Sequence, residues 1–553
     1  MSATQVLGTD PVRPPVRRAA TPGRGWGRVE ALLTVALLGL YLGLGQWVVR
    51  EVHVVGFTSL RRFADALHVV GEPLRAEQVL AADPTPLATV LTMPLTVVPG
   101  AVTSLAAVPV GSALAATGVV LALHRALGHA SPGRLTHALL LLGIALNPLV
   151  LLYATSGDAL LLAPALVLAA MACLDSYRRR GDLRALLLAG GALALASLAD
   201  PRLVIVPLVL GAGIFLAQRR SRHPRVVAGA EGTLAALLSP TVALLALWAA
   251  VGTLLAGRPV AWLAAPGALR GPAGEGDLGA AEAWGQTVEA LALAAPLVIL
   301  VLVGLVVRSV RHHAPDAAVL AALLVTTCCL PALTAVVSGG AQVQVREAVL
   351  PLLVATAGAG LLLGRDATGR GGHAPKGRRL RRVAATGAVA VLLVTWPTTW
   401  HLMRTSEHQV LEAAFVRAVE TGRSQEGALT PSGNRIGYGP EARTSRFLRD
   451  LDPGRRGVLV DPEVGYPVLV GTARPDWFRD HPGTAGWRAA ALDPAAAGVR
   501  YLLLTADPAS DRLAALHPLA AAGLDPSLRV VHRSERYVLV EPVAGAADGG
   551  WAP

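Results

Sequence analysis

Pro86-Leu87-Ala88-Thr89-Val90-Leu91-Thr92-Met93-Pro94-Leu95-Thr96-Val97-Val98 is the stretch on which the layout of this chain turns. It is apolar, but at 13 residues it is too short for a hydrocarbon core that takes ~20 helical residues to cross. Pro86 and Pro94 within it, and Pro99 just after it, add breaks that a full crossing tolerates poorly. The run therefore suits an interfacial or re-entrant helix. Around it, eleven longer runs read as membrane spans, near 31–49, 102–123, 137–154, 159–174, 185–199, 203–217, 233–256, 288–307, 317–337, 348–363 and 383–400. With 53% hydrophobic and only 16% charged residues over 553 positions, the composition excludes a simple soluble enzyme.

Charge sets the expected orientation. With the N-terminus cytoplasmic and 86–98 not crossing, the inner segments hold 24 Lys and Arg and the outer segments eight, as the positive-inside rule requires. Counting 86–98 as a span would place Arg178, Arg179 and Arg180 and the basic cluster in 364–382 outside. The net charge of +12 is thereby assigned to membrane topology and not to nucleic acid. Cys173, Cys328 and Cys329 all lie in apolar runs, so neither a disulfide framework nor a Cys-based metal site is expected. The predicted organisation is a basic cytoplasmic tail (1–30), a membrane core (31–400) with an outer loop over 50–101, and an extracytoplasmic domain (401–553).

That last segment has 17 Arg and 18 Asp or Glu, a composition close to soluble. Helical runs are expected at Val410–Val419, Arg443–Leu451 and Asp511–Ala522. Strands are expected at Gly457–Val460, Tyr466–Val470, Val499–Leu504, Leu528–His532 and Tyr537–Glu541. The reading is a small α/β domain with a loop over Gly422–Gly439.

The first outer loop carries the chemistry. In Leu60-Arg61-Arg62-Phe63-Ala64-Asp65-Ala66-Leu67-His68, the apolar residues recur at helical spacing and leave Arg61, Asp65 and His68 on the other face. A carboxylate held at a membrane surface suits general-base catalysis on a sugar hydroxyl. The plainer reading pairs Asp65 with Arg61 at i, i+4. Asp158, at an expected helix start, either caps that helix or contacts substrate. Arg202 and Arg346, each at an outer span end, are either phosphate ligands or snorkelling anchors. Arg311-His312-His313 lacks a carboxylate or Cys partner, and Gly271–Gly279 lacks the Gly-Lys-Ser/Thr ending of a phosphate loop. Trp262 and Trp284 suit interface anchoring.

The first span, the loop Asp65, Asp83-Pro84-Thr85-Pro86-Leu87 and the following half-helix resemble the start of the GT-C class of membrane glycosyltransferases. So does Asn147-Pro148 leading to Ser156-Gly157-Asp158, and Ala199-Asp200-Pro201-Arg202 is similar to a turn of the same class. The resemblance implies a polytopic helical core, sugar transfer (hexosyl or pentosyl) from a polyprenyl-phosphate donor on the outer face of a bacterial plasma membrane, and an envelope glycan, lipid or protein as acceptor. It casts Asp65, or in second place Asp83, as the base, and Asp158, Arg202 and Arg346 as substrate contacts. A divalent cation is the one cofactor it brings in. The chain departs from the class in having Ala66 where a second acid is common and Thr85 inside the proline pair. Those departures motivate the alternative of a catalytically silent envelope protein whose outer domain binds a cell-wall or division partner.

Overall fold

The structure is a computed structural model describing residues 25–543, apart from 72–78, 81–82, 84, 131–132, 221–228, 258–279, 338–342, 365–374, 406–408, 430–435, 482–483 and 509. The basic tail up to residue 24, the stretch with Trp262 and Gly271–Gly279, and much of the basic run 364–382 lie outside the described residues.

Among the described residues, eight helices are long and apolar enough to cross a membrane, or up to ten if each of two bent pairs is one span. In chain order the helices of the core begin with α1 (Gly25–Gln46), α2 (Phe57–Gly71), α3 (Pro86–Thr96) and α4 (Val108–Ala130). Next come α5 (Arg134–Ala145), α6 (Pro148–Thr155), α7 (Leu162–Arg180), α8 (Leu183–Ala199) and α9 (Ile205–Arg219). The core closes with α10 (Ala230–Ala256), α11 (Ala280–Ala294), α12 (Leu297–His312), α13 (Pro315–Val337), α14 (Val349–Leu363) and α15 (Pro375–Thr405). The expected span 185–199 is α8, at 17 residues shorter than the rest.

Two expected spans are not continuous. The run 137–154 is α5 and α6, bent by 55°, because Pro148 cannot supply the N–H that would continue α5 and Asn147 caps the new helix by accepting from Leu149 N at 3.0 Å. The run 288–307 is broken between α11 and α12 by 94° at Ala295 and Pro296. The 86–98 run forms α3, an 11-residue helix about 16 Å long with Pro86 in its first turn, half of what a crossing takes. The middle of the bundle is α14, buried from Val349 almost continuously to Gly360.

After α15 the chain folds into a separate layer through α16 (Val410–Thr421) and α17 (Gly439–Leu451). Its sheet has the order β2-β1-β3-β5-β4, where β1 is Val458–Val460, β2 Phe478–Arg479, β3 Tyr501–Thr505, β4 Leu528–Arg533 and β5 Tyr537–Pro542. Strands β2, β1 and β3 are parallel, and β5 and β4 close the sheet antiparallel. The expected strand Tyr466–Val470 is instead the middle of α18 (Pro462–Thr472). Asp461 caps that helix, Pro462 starts it, and Gly465 lies so close to β1 that a Cβ there would meet Val460 at 2.1 Å. Tertiary contact thus overrides the β-propensity of a Tyr- and Val-rich run. The expected helix Asp511–Ala522 is two short helices, Arg512–Leu516 and Pro518–Ala522.

Helix α2 joins the two layers. Its Leu60, Phe63, Ala64 and Leu67 share one buried cluster with Leu448, Val468, Leu469 and Phe478 of the C-terminal domain. The face of the membrane core that carries α2 and this domain is called the domain face below.

Candidate active site

A groove of about 880 Å³ runs along the core between α3, α4, α7 and α8. It exists because the facing side chains are small: Gly111, Ala115, Gly118 and Ala122 fall at helical spacing on α4, opposite Ala165, Ala169 and Ala172 on α7. Leu91 and Leu95 of α3 wall it at the domain face, where Ser59 and Arg62 of α2 form its end. Arg125, Asp182 and Arg184 mark the opposite end.

Arg62 is the cation at the domain-face end. Its Nη1 is buried and has no hydrogen-bond partner among the described residues. Its Nη2 lies 3.8 Å from Asp158 Oδ1, too long for a tight ion pair. Asp158 is held by two other bonds. Leu160 N donates to Oδ1 at 3.0 Å, which is helix capping, and Thr58 Oγ1 donates to Oδ2 at 3.1 Å, which ties the turn to α2. Behind Asp158 stands Arg346, whose electrostatic neighbours are Tyr153, Glu347, Asp158 and Glu412. Glu412 comes from α16, is 5% exposed, and accepts a hydrogen bond from the Tyr153 hydroxyl. Its position was legible in sequence only as a single acid in the apolar run Val410–Val416.

The other flank of α2 faces the C-terminal domain across a cavity of about 210 Å³, lined by Arg61, Asp65, His68, Glu463, Tyr466 and Asp480 among others. Arg61 does not pair with Asp65 as the i, i+4 reading had it. It forms a two-pronged ion pair with Glu463 at 2.7 and 3.1 Å. His68 Nε2 and Asp480 Oδ2 meet at 2.6 Å, both buried. Asp65 has no hydrogen bond or ion pair among the described residues, and its carboxyl is pushed up to about 7, first by burial and then by the neighbouring Asp83. Asp83 in turn accepts from Thr85 N at 2.7 Å through Oδ1, while its Oδ2 is buried without a hydrogen-bond partner among the described residues.

The residues singled out in the sequence therefore fall into three places. Asp65 and Asp83 are together on the domain side of α2; Asp158 and Arg346 are together with Arg62, Tyr153 and Glu412. Arg202 stands apart, its guanidinium shared between Asp200 (2.8 Å) and Glu347 (2.8 Å). For the divalent cation the fit is poor. Among the described residues no three His, Cys, Asp or Glu side chains converge as metal ligands, and nothing below is routed through a metal.

A bundle of this kind, with a first-loop helix under a C-terminal α/β layer, is the GT-C-like membrane fold. Over 95% of this chain and 99% of the other it superimposes on ArnT from Cupriavidus metallidurans bound to undecaprenyl phosphate, at a TM-score of 0.54 and 12% identity. The apo form of that protein gives 0.54 and 12% as well, over 94% and 98%. A weaker likeness, with a TM-score of 0.44 and 12% identity over 88% of this chain and 69% of the other, extends to the Archaeoglobus fulgidus oligosaccharyltransferase tethered with an acceptor peptide. No family model matches the sequence, and no curated protein matches it either.

Proposed function

We propose that this chain is a membrane glycosyltransferase that takes a hexose or pentose from a polyprenyl-phosphate donor and passes it to a hydroxyl of an envelope glycan, lipid or protein. The observation that carries the reading is the groove: a long apolar channel of small side chains that ends at a guanidinium with a buried, unpaired N–H. An isoprenoid tail suits such walls, since each buried methylene is worth about 0.8 kcal/mol. A phosphate suits the end, where Arg62 and Arg346 offer the planar donor geometry that binds its oxygens in pairs. The likeness in fold to a protein solved with undecaprenyl phosphate supports the same assignment.

In this reading the acceptor comes from the C-terminal domain's side of α2. Asp65 takes the proton of its hydroxyl, the hydroxyl oxygen attacks the anomeric carbon, and the bond from that carbon to the phosphate oxygen breaks. The polyprenyl phosphate leaves with the bonding electrons toward Arg62. Residues 62 and 65 are neighbours on one helix, with Cβ atoms about 5–6 Å apart, so base and phosphate ligand face adjacent flanks of the same element. A carboxyl near 7 is matched to work as a base at neutral pH.

The experiment is transfer by the purified chain in nanodiscs, offered short-chain polyprenyl-phosphate hexoses and pentoses together with envelope extract. Label moving from a donor into extract components, lost in Asp65→Asn, is the expected result. Donor binding without transfer from any donor would favour the silent-protein alternative.

A further inference from the structure

Glu412 has no part in the mechanism above, yet it is the group that the C-terminal segment inserts beside the cations of the phosphate end. Helix α16 packs across α15 and α6 and buries Glu412 together with Ala413, Ala414, Phe415 and Val416. The Tyr153 hydroxyl, itself buried, donates to Glu412 Oε1. The charged neighbours of that carboxyl are Arg346 and Asp158. On α15, Arg404 is engaged by Glu420 at the far end of α16, and His401 is exposed.

The surrounding charges are otherwise spoken for. Asp158 is bonded to Thr58 and Leu160 and leans toward Arg62. Glu347 binds Arg202. Arg346 has no hydrogen bond or ion pair within 4 Å among the described residues, so the carboxyl left to balance it is Glu412.

We propose that Glu412 is the proton-carrying counter-charge of the phosphate site: ionised against Arg346 while the site is empty, it takes up a proton when a phosphate group binds there. This rests on the reading of Arg62 and Arg346 as the phosphate end of the donor site. The physical reason is competition for one cation. An arriving phosphate takes over the favourable field of Arg346 and adds a like charge beside a buried carboxyl, and both effects favour the neutral acid. Burial already holds Glu412 above the ordinary carboxyl range in the empty site, which places the switch nearer neutrality than an exposed Glu would. The sign follows from linkage: binding consumes protons, so affinity is highest at low pH and falls as pH rises through the window between the empty-site and occupied-site values. The fall reaches at most about tenfold per pH unit, the limit for one proton.

The test is calorimetry on the full chain in detergent, with a short-chain prenyl phosphodiester as probe, because a phosphodiester does not itself titrate near neutrality. Binding heats measured in buffers of different ionisation enthalpy give the protons taken up by the wild type without any substitution. A substantial fraction of one proton per site, lost in Glu412→Gln together with the pH dependence of affinity, is the expected result. Binding with no proton uptake overturns the role of Glu412 and leaves the phosphate site standing, as does uptake that persists in Glu412→Gln. Failure of the wild type to bind at any pH removes the phosphate site and this proposal with it. Should Glu412→Gln not fold, the wild-type uptake alone decides.

Discussion

Replacing Asp65 by Asn separates catalysis from stability because the two respond with opposite sign. The Asp65 carboxyl lies near 7 in the folded chain against 3.8 for an ordinary aspartate, so the folded state binds the extra proton and the unfolded state does not. Between those values, stability falls as pH rises, since the native state must either hold a proton that solution no longer supplies or bury a charge. About three pH units at ~1.4 kcal/mol each sets a ceiling of about 4 kcal/mol. Because the side chain is half-buried and water screens it, about 1–2 kcal/mol at neutral pH is the working figure. Asp65→Asn keeps the shape and removes that cost, so it should raise the unfolding midpoint in a detergent melt at pH 7.5 and leave it unchanged near pH 4. The same substitution deletes the base, and transfer should fall by about 10²–10⁴-fold. In the wild type, kcat/KM should climb with pH and level off above about 7, as the carboxylate forms. Transfer within a few-fold of wild type in Asp65→Asn would refute the base assignment. A lower melting midpoint at neutral pH would refute the electrostatic account of the site.

Arg62→Gln removes the guanidinium facing the groove, while Asp158 keeps its bonds from Thr58 and Leu160; binding of a short polyprenyl phosphate should weaken by about 10–100-fold, the value of ~1.5–3 kcal/mol for a charged hydrogen bond, with the melting midpoint little changed. Unaltered affinity in a binding titration would move the phosphate elsewhere. Gly118→Ala should be harmless, since a Cβ there meets Ala165 at an ordinary 3.6 Å, whereas Gly118→Leu should block the groove and abolish use of long-chain donors before short ones. Equal activity of both variants on a long donor would show that the tail does not lie in the groove. A cysteine at Ser510 should react with an impermeant thiol reagent on whole cells and one at Thr368 should not, as the 24 to eight distribution of Lys and Arg requires; the reverse labelling would invert the orientation.

Sequence alone determined the membrane class, the eleven apolar runs, the non-crossing character of 86–98 and a soluble-like α/β tail, because each is set by length, hydropathy and charge along a local stretch. It also marked Asp65, Asp83, Asp158 and Arg346, since acids and arginines at the ends of apolar runs stand out without a fold. What it did not determine is who meets whom. Arg61 turned to Glu463, more than 400 residues away in sequence, and not to Asp65 four residues on, because the C-terminal domain docks on that flank of α2. Tyr466–Val470 became helix for a similar reason: packing of Gly465 on Val460 outweighed a local β preference. The groove and the burial of Glu412 among Tyr153, Asp158 and Arg346 arise from segments brought together only in the packed bundle. Periodicity fixes which face of a helix is apolar; the partner that covers each face is chosen by the tertiary structure, since side chains of one class are locally interchangeable.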